Sequence, residues 1–228
     1  WIGTSDGGLN YYDNASQLYK NYLFNSGNLD VPFKDIKTVY VDEVQDRIYV
    51  GAHAGGMMVL HRKSGYIEYY NRHNSNLPSN NIYSIISDGY GGLWVASLEY
   101  LLHFDIDKRN FTIVDVDEDG HKLQQYNRLL FCDSKKRIWA GGEMGISVFN
   151  QVGTSLLPNT DFQIASVLKQ AFVNCFYETS SGYLWIGTRN GLFALKESDK
   201  QFLQYTTENG LPSNVIYGIL EDAYGRLW

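Results

Sequence analysis

The residues most suggestive of chemistry form an acidic run, Asp115-Val116-Asp117-Glu118-Asp119-Gly120. Asp115, Asp117 and Asp119 have the spacing of the first half of an EF-hand loop, in which alternate carboxylates converge on calcium. The twelfth position of such a loop needs a bidentate Glu, and this chain has Tyr126 there. No helical pattern flanks the run. Two interpretations follow: a weak calcium site, or the solvated acidic turn that we favour.

No other stretch has the spacing of a catalytic or metal-binding site. The five histidines are scattered, without a His-x-x-x-His pair, and the chain has neither a Gly-x-Ser-x-Gly nucleophile elbow nor a phosphate loop. Cys132 and Cys175 lie in apolar runs and are predicted to be ordinary buried thiols. We therefore expect no catalytic residue, no cofactor and no enzymatic activity in this chain.

Composition narrows the class of partner. The formal charge is −6 and the isoelectric point about 5.3, which argues against a nucleic-acid or anionic-membrane surface, because such surfaces need a basic face. No apolar run approaches the roughly 18 residues that span a bilayer. The chain begins at Trp1-Ile2-Gly3-Thr4, in the middle of a repeated motif. We therefore expect a segment cut from a longer protein, with any membrane contact made by parts outside this chain.

The elements that must position any site come from one repeated pattern. The five Trp, at 1, 94, 139, 185 and 228, recur at intervals of 43 to 48 residues once Tyr49 fills the one gap. We call these six residues the aromatic positions. A small residue lies two places after each one up to Trp185, and Gly follows six places after four of them, at 7, 55, 145 and 191. These four glycines are predicted to form hairpin turns with positive φ. Tyr100 stands at the corresponding place in the third repeat.

Each repeat contains four predicted strands. An inner strand, nearly continuous in apolar residues, comes first, and the aromatic position lies on the second strand. An alternating third strand and a more polar fourth follow, except that residues 150–169 of the fourth repeat are irregular. Four short antiparallel strands in about 45 residues are typical of a β-propeller blade. We predict an all-β protein, a β-propeller of four-stranded antiparallel blades. Residues 1–228 would form one segment of about five blade repeats from a larger ring, with inner strands buried on both faces.

The repeat resembles that of the two-component regulator propeller family. The resemblance is clearest in Gly182-Tyr183-Leu184-Trp185-Ile186-Gly187-Thr188-Arg189-Asn190-Gly191-Leu192. The family's link between blades, Gly-Leu-Pro-x-Asn, is matched by residues 210–214, and more loosely by residues 76–80. The second and third repeats are degenerate, with Tyr49 for Trp and Ala96-Ser97 for Gly-Thr.

The resemblance implies a fold and a function beyond what the residues give. It implies a seven-bladed ring within the periplasmic sensor of a hybrid two-component system of the Bacteroides type. A histidine kinase would follow elsewhere in the parent, which would act as a homodimer. Ligands of that family are often oligosaccharides, so the resemblance implies a non-catalytic propeller that binds a polysaccharide-derived oligosaccharide.

Candidate contact residues come from the propeller geometry. Ligands approach the face that carries the loops entering each inner strand and the loops between second and third strands, where Arg, Asn, Glu and aromatic side chains suit sugars. The candidates at the second-to-third loops are His53, Glu99, Tyr100, Glu143, Arg189 and Asn190, and those at the inner-strand entries are Asn81, Tyr126, Asn127, Arg128 and Asn174.

Two groups of alternatives stay open. Each candidate could instead be an ordinary exposed loop residue. The recurring acids Asp42, Asp88, Asp133 and Asp222 are predicted to fix turns rather than to catalyse, because catalytic carboxylates would differ between blades. A protein-interaction scaffold is the alternative function, and a polysaccharide hydrolase or lyase, which would need unlike carboxylates around the axis, is less favoured.

Overall fold

The described residues fold into repeated antiparallel sheets. A computed structural model of the chain describes residues 1–22, 33–114, 127–159, 168, 171–196 and 201–228. The chain divides into two compact units, Trp1–Leu123 and Gln124–Trp228, which are treated separately below. No helix among these described ranges is long and apolar enough to cross a membrane.

The first unit contains three sheets. Within each sheet the strands lie in chain order and pair antiparallel with their sequence neighbours, which is the meander of a propeller blade. The strands are β1 Ile2–Gly3, β2 Leu9–Asp13 and β3 Leu18–Asn21; β4 Ile36–Asp42, β5 Arg47–Ala52, β6 Gly56–His61 and β7 Ile67–Tyr70; and β8 Ile82–Ser87, β9 Leu93–Ser97, β10 Leu101–Asp105 and β11 Asn110–Ile113.

The second unit contains two more four-stranded blades and a terminal segment. That segment has a short 3-10 turn at Thr207–Asn209 and a single bridge between Glu221 and Leu227. The predicted β-propeller class and four-stranded blades are confirmed. The strands are β12 Asn127–Cys132, β13 Arg137–Gly142, β14 Gly145–Val152 and β15 Ser155–Pro158; and β16 Val173–Glu178, β17 Leu184–Thr188, β18 Gly191–Lys196 and β19 Gln201–Tyr205.

Three of the six aromatic positions are fully buried, whereas Trp1 and Trp185 are partly buried and Trp228 is 72% exposed. Tyr49, Trp94 and Trp139 are 0% exposed. Tyr49 packs in one cluster with Val95 and Phe104 of the following blade, and Trp139 packs with residues of β17 and β18. Because a single blade cannot bury its own faces, these rings supply the apolar area that joins neighbours.

The small residue two places later allows the next blade to approach. A methyl group built on Gly51 would lie 2.5 Å from Cγ2 of Ile82, which begins the next inner strand. Gly3 meets Ile36 in the same way, and Gly187 meets Ile216. A side chain at these positions would overlap the neighbouring blade, so Gly sets the distance between blades.

Three predictions about the elements were wrong. The inner strands are mostly half-buried, and the second strands are the most buried, because an inner strand is the edge of its sheet whereas the second strand has neighbours on both sides. Residues 215–220, predicted as the inner strand before Trp228, form no strand, because their isolated hydrogen bonds to Thr188 and Trp228 do not build a ladder of consecutive pairs. In the first two repeats positive φ falls on Gly8 and Gly56, one residue later than predicted, because those hairpins are longer.

Candidate functional site at the blade entry edge

A β-bulge marks the start of the inner strand in all four complete blades. The first residue of each inner strand pairs with the last residues of the second strand, as Ile36 pairs with Ala52. The next residue has no partner in the ladder, and pairing then resumes one position out of step. Bulges bend a strand and redirect a side chain, and they are common beside binding sites. The bulge residues are Lys37, Tyr83, Arg128 and Asn174.

We call the corner formed by this bulge and the nearby hairpin loop the entry edge. The loop joins the second strand to the third, and it begins where the second strand pairs with the start of the inner strand. The entry edge therefore brings two groups of predicted site residues together within each blade. The two-residue loops of the second unit are Glu143-Met144 and Arg189-Asn190, each closed by a positive-φ glycine.

In the blade β12–β15 the entry edge holds an ion pair. Arg128 Nη2 lies 2.6 Å from Glu143 Oε1, and the two side chains are 38% and 39% exposed. A pair this exposed contributes little to stability. Its donors and acceptors remain within reach of a ligand, so two predicted residues form one polar surface.

In the blade β16–β19 a cation covers an aromatic ring. The guanidinium carbon of Arg189 lies 3.7 Å from the centroid of the Phe172 ring, and the Arg189 amide donates to the Phe172 carbonyl. The stacking holds the guanidinium flat and directs its N–H groups sideways. Asn190 is exposed beside it, and its amide donates to Thr188 Oγ1 at 2.9 Å.

Two of the predicted asparagines link neighbouring repeats. Asn174 Nδ2 donates to the carbonyl of Ile216 at 2.8 Å, and Asn81 Oδ1 accepts from the amide of Ala54 at 2.8 Å. Each amide still has a second polar atom. Asn81 and Asn174 therefore belong to the entry edge, but part of their hydrogen-bonding capacity joins blades.

The first unit presents a more varied entry edge. His53 and Glu99 are exposed, and Tyr100 is partly buried against the core between β4–β7 and β8–β11. The Tyr100 carbonyl accepts from the amide and hydroxyl of Ser97, which closes a two-residue loop of the same length as the loop that Gly191 closes. Lys37 and Tyr83, at the bulges, were not predicted. The sequence does contain a sign of these positions: each is a polar or amphipathic residue at the second position of an otherwise apolar inner strand.

Several predicted residues lie outside the described part of the chain. They are Asp115, Asp117 and Asp119 of the acidic run, and Tyr126; Asn127 begins β12, but its side chain is not described. Among the described residues no group of three His, Cys, Asp or Glu side chains could hold a metal ion. The calcium hypothesis thus stays a prediction.

The recurring acids fix turns, as predicted. Asp133 Oδ1 accepts from the amides of Lys135 and Arg137, and its Oδ2 accepts from Trp139 Nε1 at 2.8 Å. Asp222 makes the equivalent contacts, and those hydrogen bonds lower its pKa to about 2. These carboxylates are therefore structural. Cys132 and Cys175 are half-buried rather than fully buried as predicted, and this burial raises the pKa of both thiols.

Comparison with known sequences decides what kind of repeat this is. The family described as "Two component regulator propeller" matches residues 76–99, 168–190 and 210–228. These stretches are two component regulator propeller repeats. Two of them contain the Leu-Pro-Ser-Asn link, whose Asn80 and Asn214 side chains accept from the amides of Arg72 and Thr207 at 2.8 Å. The carbonyls of the same asparagines accept from Gly56 and Gly191, so the link motif ties each hairpin to the next blade.

The chain is similar to parts of much longer proteins. Over 97% of its length the chain is similar to histidine kinase P4 of Formosa agariphila, at 24% identity, and it spans 20% of that protein. It is also similar to the extracellular domain of a putative hybrid two component system from B. thetaiotaomicron (TM-score 0.79, 20% identity, all of this chain and 30% of that one).

PorZ, a surface component of the type-IX secretion system of Porphyromonas gingivalis, has a similar fold (TM-score 0.72, 17% identity, 95% of this chain and 34% of that one). Identities this low establish the propeller fold. The chain spans about a third or less of each relative.

Proposed function

We propose that this chain is part of the periplasmic sensor propeller of a hybrid two-component system and that it binds an oligosaccharide without altering it. The entry edge carries the proposal, because the bulges and hairpins bring Arg128 next to Glu143 and place Arg189 flat on Phe172. Flat guanidinium and aromatic faces with directed polar groups suit the hydroxyls and ring faces of sugars.

The parent protein would connect this binding to a histidine kinase. The similarity to a histidine kinase and to the extracellular domain of a putative hybrid two component system supports a sensor role. We expect the parent to act as a homodimer. A ligand that binds one arrangement of the paired sensors more tightly than another would shift their populations and so carry the signal.

Calorimetric titration with oligosaccharides from plant, algal and host polysaccharides tests the proposal. Arg189→Ala is expected to weaken binding about 10- to 100-fold, because a hydrogen bond to a charged group contributes about 1.5–3 kcal/mol. Arg62→Ala is the matched control, since Arg62 pairs with Glu43 and Asp46 at the end of β6 opposite the entry edge.

Four outcomes would contradict the proposal. If no oligosaccharide of the panel binds, the proposed sugar ligand is wrong. If both variants lose the same affinity, the ligand does not bind at the entry edge. Release of shorter products would instead indicate a hydrolase or lyase. Capture of a defined protein partner through the same residues would favour the scaffold alternative.

A further inference from the structure

A second polar site lies in the first unit, at the end of the blades away from the entry edge. There a cavity of about 160 Å³ opens between the blade β4–β7 and the blade β8–β11. It lies where β5 begins and where the chain turns from β10 into β11. The polar side chains that line it are Arg47, Tyr49, Glu68, Tyr70, Asp107 and Arg109.

On one wall of the cavity, the acid Glu68 already has hydrogen-bonding and charged partners within the chain. Glu68, with an 11% exposed side chain, accepts from the Tyr70 hydroxyl at 2.8 Å, contacts His61 Nε2 at 2.6 Å, and lies 3.6 Å from Arg109 Nε. Burial acts to raise the pKa of Glu68, but these partners together outweigh it, so the pKa lies below its usual value. The carboxylate is therefore charged and its oxygens are occupied.

The other wall presents donors without acceptors. The Tyr49 side chain is 0% exposed, and its hydroxyl has no hydrogen-bond partner among the described residues. Arg47 is partly buried and lies within ion-pair distance of no acid in the described part of the chain. Burial raises the pKa of Tyr49, and the nearby Arg47 guanidinium opposes part of that rise. Arg47 and the Tyr49 hydroxyl nevertheless do not have the geometry of a hydrogen bond. Buried polar groups are rarely left unsatisfied, so this pair needs an explanation.

Comparison with other repeats shows what Arg47 and Tyr49 lack. Arg137 and Arg226 also lie two residues before an aromatic position, and there the Arg and the Trp both donate to one Asp carboxylate, six residues before the Trp. In the Tyr49 repeat the turn is one residue longer. Asp42 lies seven residues before Tyr49 and uses one oxygen for the amides of Val44 and Gln45. The repeat has kept an Arg and an aromatic donor but has lost the shared carboxylate.

The corresponding space in the second unit supports this comparison. A cavity of about 200 Å³ lies between β12–β15 and β16–β19, and its wall includes both Asp133 and Arg137. There the chain itself supplies the oxyanion. In the first unit the cavity is lined by Arg47 and by Tyr49, and Asp42 is not part of its wall.

We propose that the cavity beside Arg47 and Tyr49 binds a small oxyanion from solution, held by the guanidinium and the phenol hydroxyl. The planar guanidinium matches carboxylate, sulfate and phosphate oxygens. A cavity of about 150 Å³ holds a benzene molecule, so the space suits an anion of roughly six heavy atoms or fewer. Asp107, at the exposed rim, limits the net positive charge and so favours a monoanion over a highly charged ligand.

Thermal unfolding and calorimetry of the 228-residue chain at pH 7 and constant ionic strength test this site. The probes are sodium acetate, phosphate and sulfate, each compared with chloride. At least one oxyanion is expected to raise the unfolding temperature in proportion to ln(1 + [L]/Kd). Comparing acetate with phosphate and sulfate shows whether the site prefers a carboxylate or a tetrahedral oxyanion.

Variants at the two donors distinguish binding from a structural role. Tyr49→Phe is expected to keep or raise the unfolding temperature in chloride, because it removes a buried hydroxyl that has no partner among the described residues, while weakening oxyanion binding about tenfold. Arg47→Gln is expected to abolish binding, and Arg62→Gln, in the same blade but outside the cavity, is expected to keep it. No stabilisation by any of the three anions, or an equal response in wild type and Tyr49→Phe, would overturn the proposal. Neither result bears on the entry edge.

Discussion

Asp133→Asn is the sharpest test of how a repeat is held together. Asp133 Oδ1 accepts from the amides of Lys135 (3.0 Å) and Arg137 (2.9 Å). Oδ2 accepts from Arg137 Nε (2.6 Å) and Trp139 Nε1 (2.8 Å) and also lies 2.6 Å from Arg137 Nη2. All of these partners are donors. The substitution turns one oxygen into an amino group, so either orientation of the new amide sets a donor against two donors.

The magnitude follows from what is left unpaired. Two buried donors without acceptors cost about 1–3 kcal/mol each. Arg137, with a 14% exposed side chain, also loses its counter-charge, and breaking a buried pair costs about 3–5 kcal/mol. The two costs overlap, because Arg137 enters both. We expect Asp133→Asn to lower the free energy of unfolding by about 3–5 kcal/mol, measured by urea denaturation followed by tryptophan fluorescence.

Asp42→Asn is the matched control. Asp42 accepts from the amides of Val44 and Gln45 through Oδ1 alone, so its other oxygen can become an amino group without facing a donor. A loss below about 1 kcal/mol is expected there. The reasoning is refuted if the two substitutions cost the same, or if Asp133→Asn costs less than about 1 kcal/mol.

Three further measurements address packing, pH dependence and thiol reactivity. Gly51→Ala is expected to lower the free energy of unfolding by about 1–3 kcal/mol, since its methyl would overlap the next inner strand, whereas Gly218→Ala, with open space around it, should cost under about 1 kcal/mol; equal urea midpoints would contradict this. Because the folded-state pKa of Glu68 is lowered, its stabilisation is complete above the unfolded value near 4.5 and is lost as pH falls through the folded value. Glu68→Gln should therefore flatten the unfolding temperature between pH 6 and 3, and an unchanged slope would refute that assignment. In the folded chain at pH 7.5, Cys132 and Cys175 should react with iodoacetamide more slowly than free cysteine does. In urea, they should react as fast as free cysteine. Fast labelling of the folded chain would contradict the raised pKa of the two thiols.

The blade architecture could be predicted from the sequence because packing leaves a periodic trace. One bulky aromatic and one small residue are needed at each contact between blades, so the positions of Trp139 and Gly141 recur at fixed intervals. The turn acids were predictable for the same reason, since each Trp that donates to an Asp keeps that acid six residues before it. Where Thr179 replaces the acid, Trp185 Nε1 is buried without a hydrogen-bond partner among the described residues.

The details of the site were less predictable because they depend on register. The sequence indicated Arg128 and Asn174 at the inner-strand entries but not Lys37 and Tyr83, because a bulge is visible only once two strands are paired. Hairpin length had the same effect. The hairpin after Tyr49 is one residue longer than those of the second unit, so positive φ falls on Ala54 and Gly56 rather than on the predicted Gly55. The sequence of this loop does not reveal its length.

The longer turn before Tyr49 shows a different limit. Arg47 matches Arg137 in sequence position, and sequence alone would assign both to the same structural role. The difference depends on which carboxylate oxygen faces which donor, and a single inserted residue decides that. Local chemistry of this kind becomes visible only from interatomic distances.

The β-bulge at each entry edge lets one residue pack between blades while the next residue can vary for binding. The residue before the bulge packs against the preceding blade, as Ile82 does at 0% exposure, while the next side chain is released from the strand ladder. Four different side chains occupy that released position on one backbone geometry: Lys37, Tyr83, Arg128 and Asn174. A combinatorial library randomised at Lys37, Tyr83 and Arg128, with Asn174 kept for its hydrogen bond to Ile216, could therefore vary the surface chemistry of these blades with little change in their folding. The entry edge is for that reason a practical starting point for engineered binders.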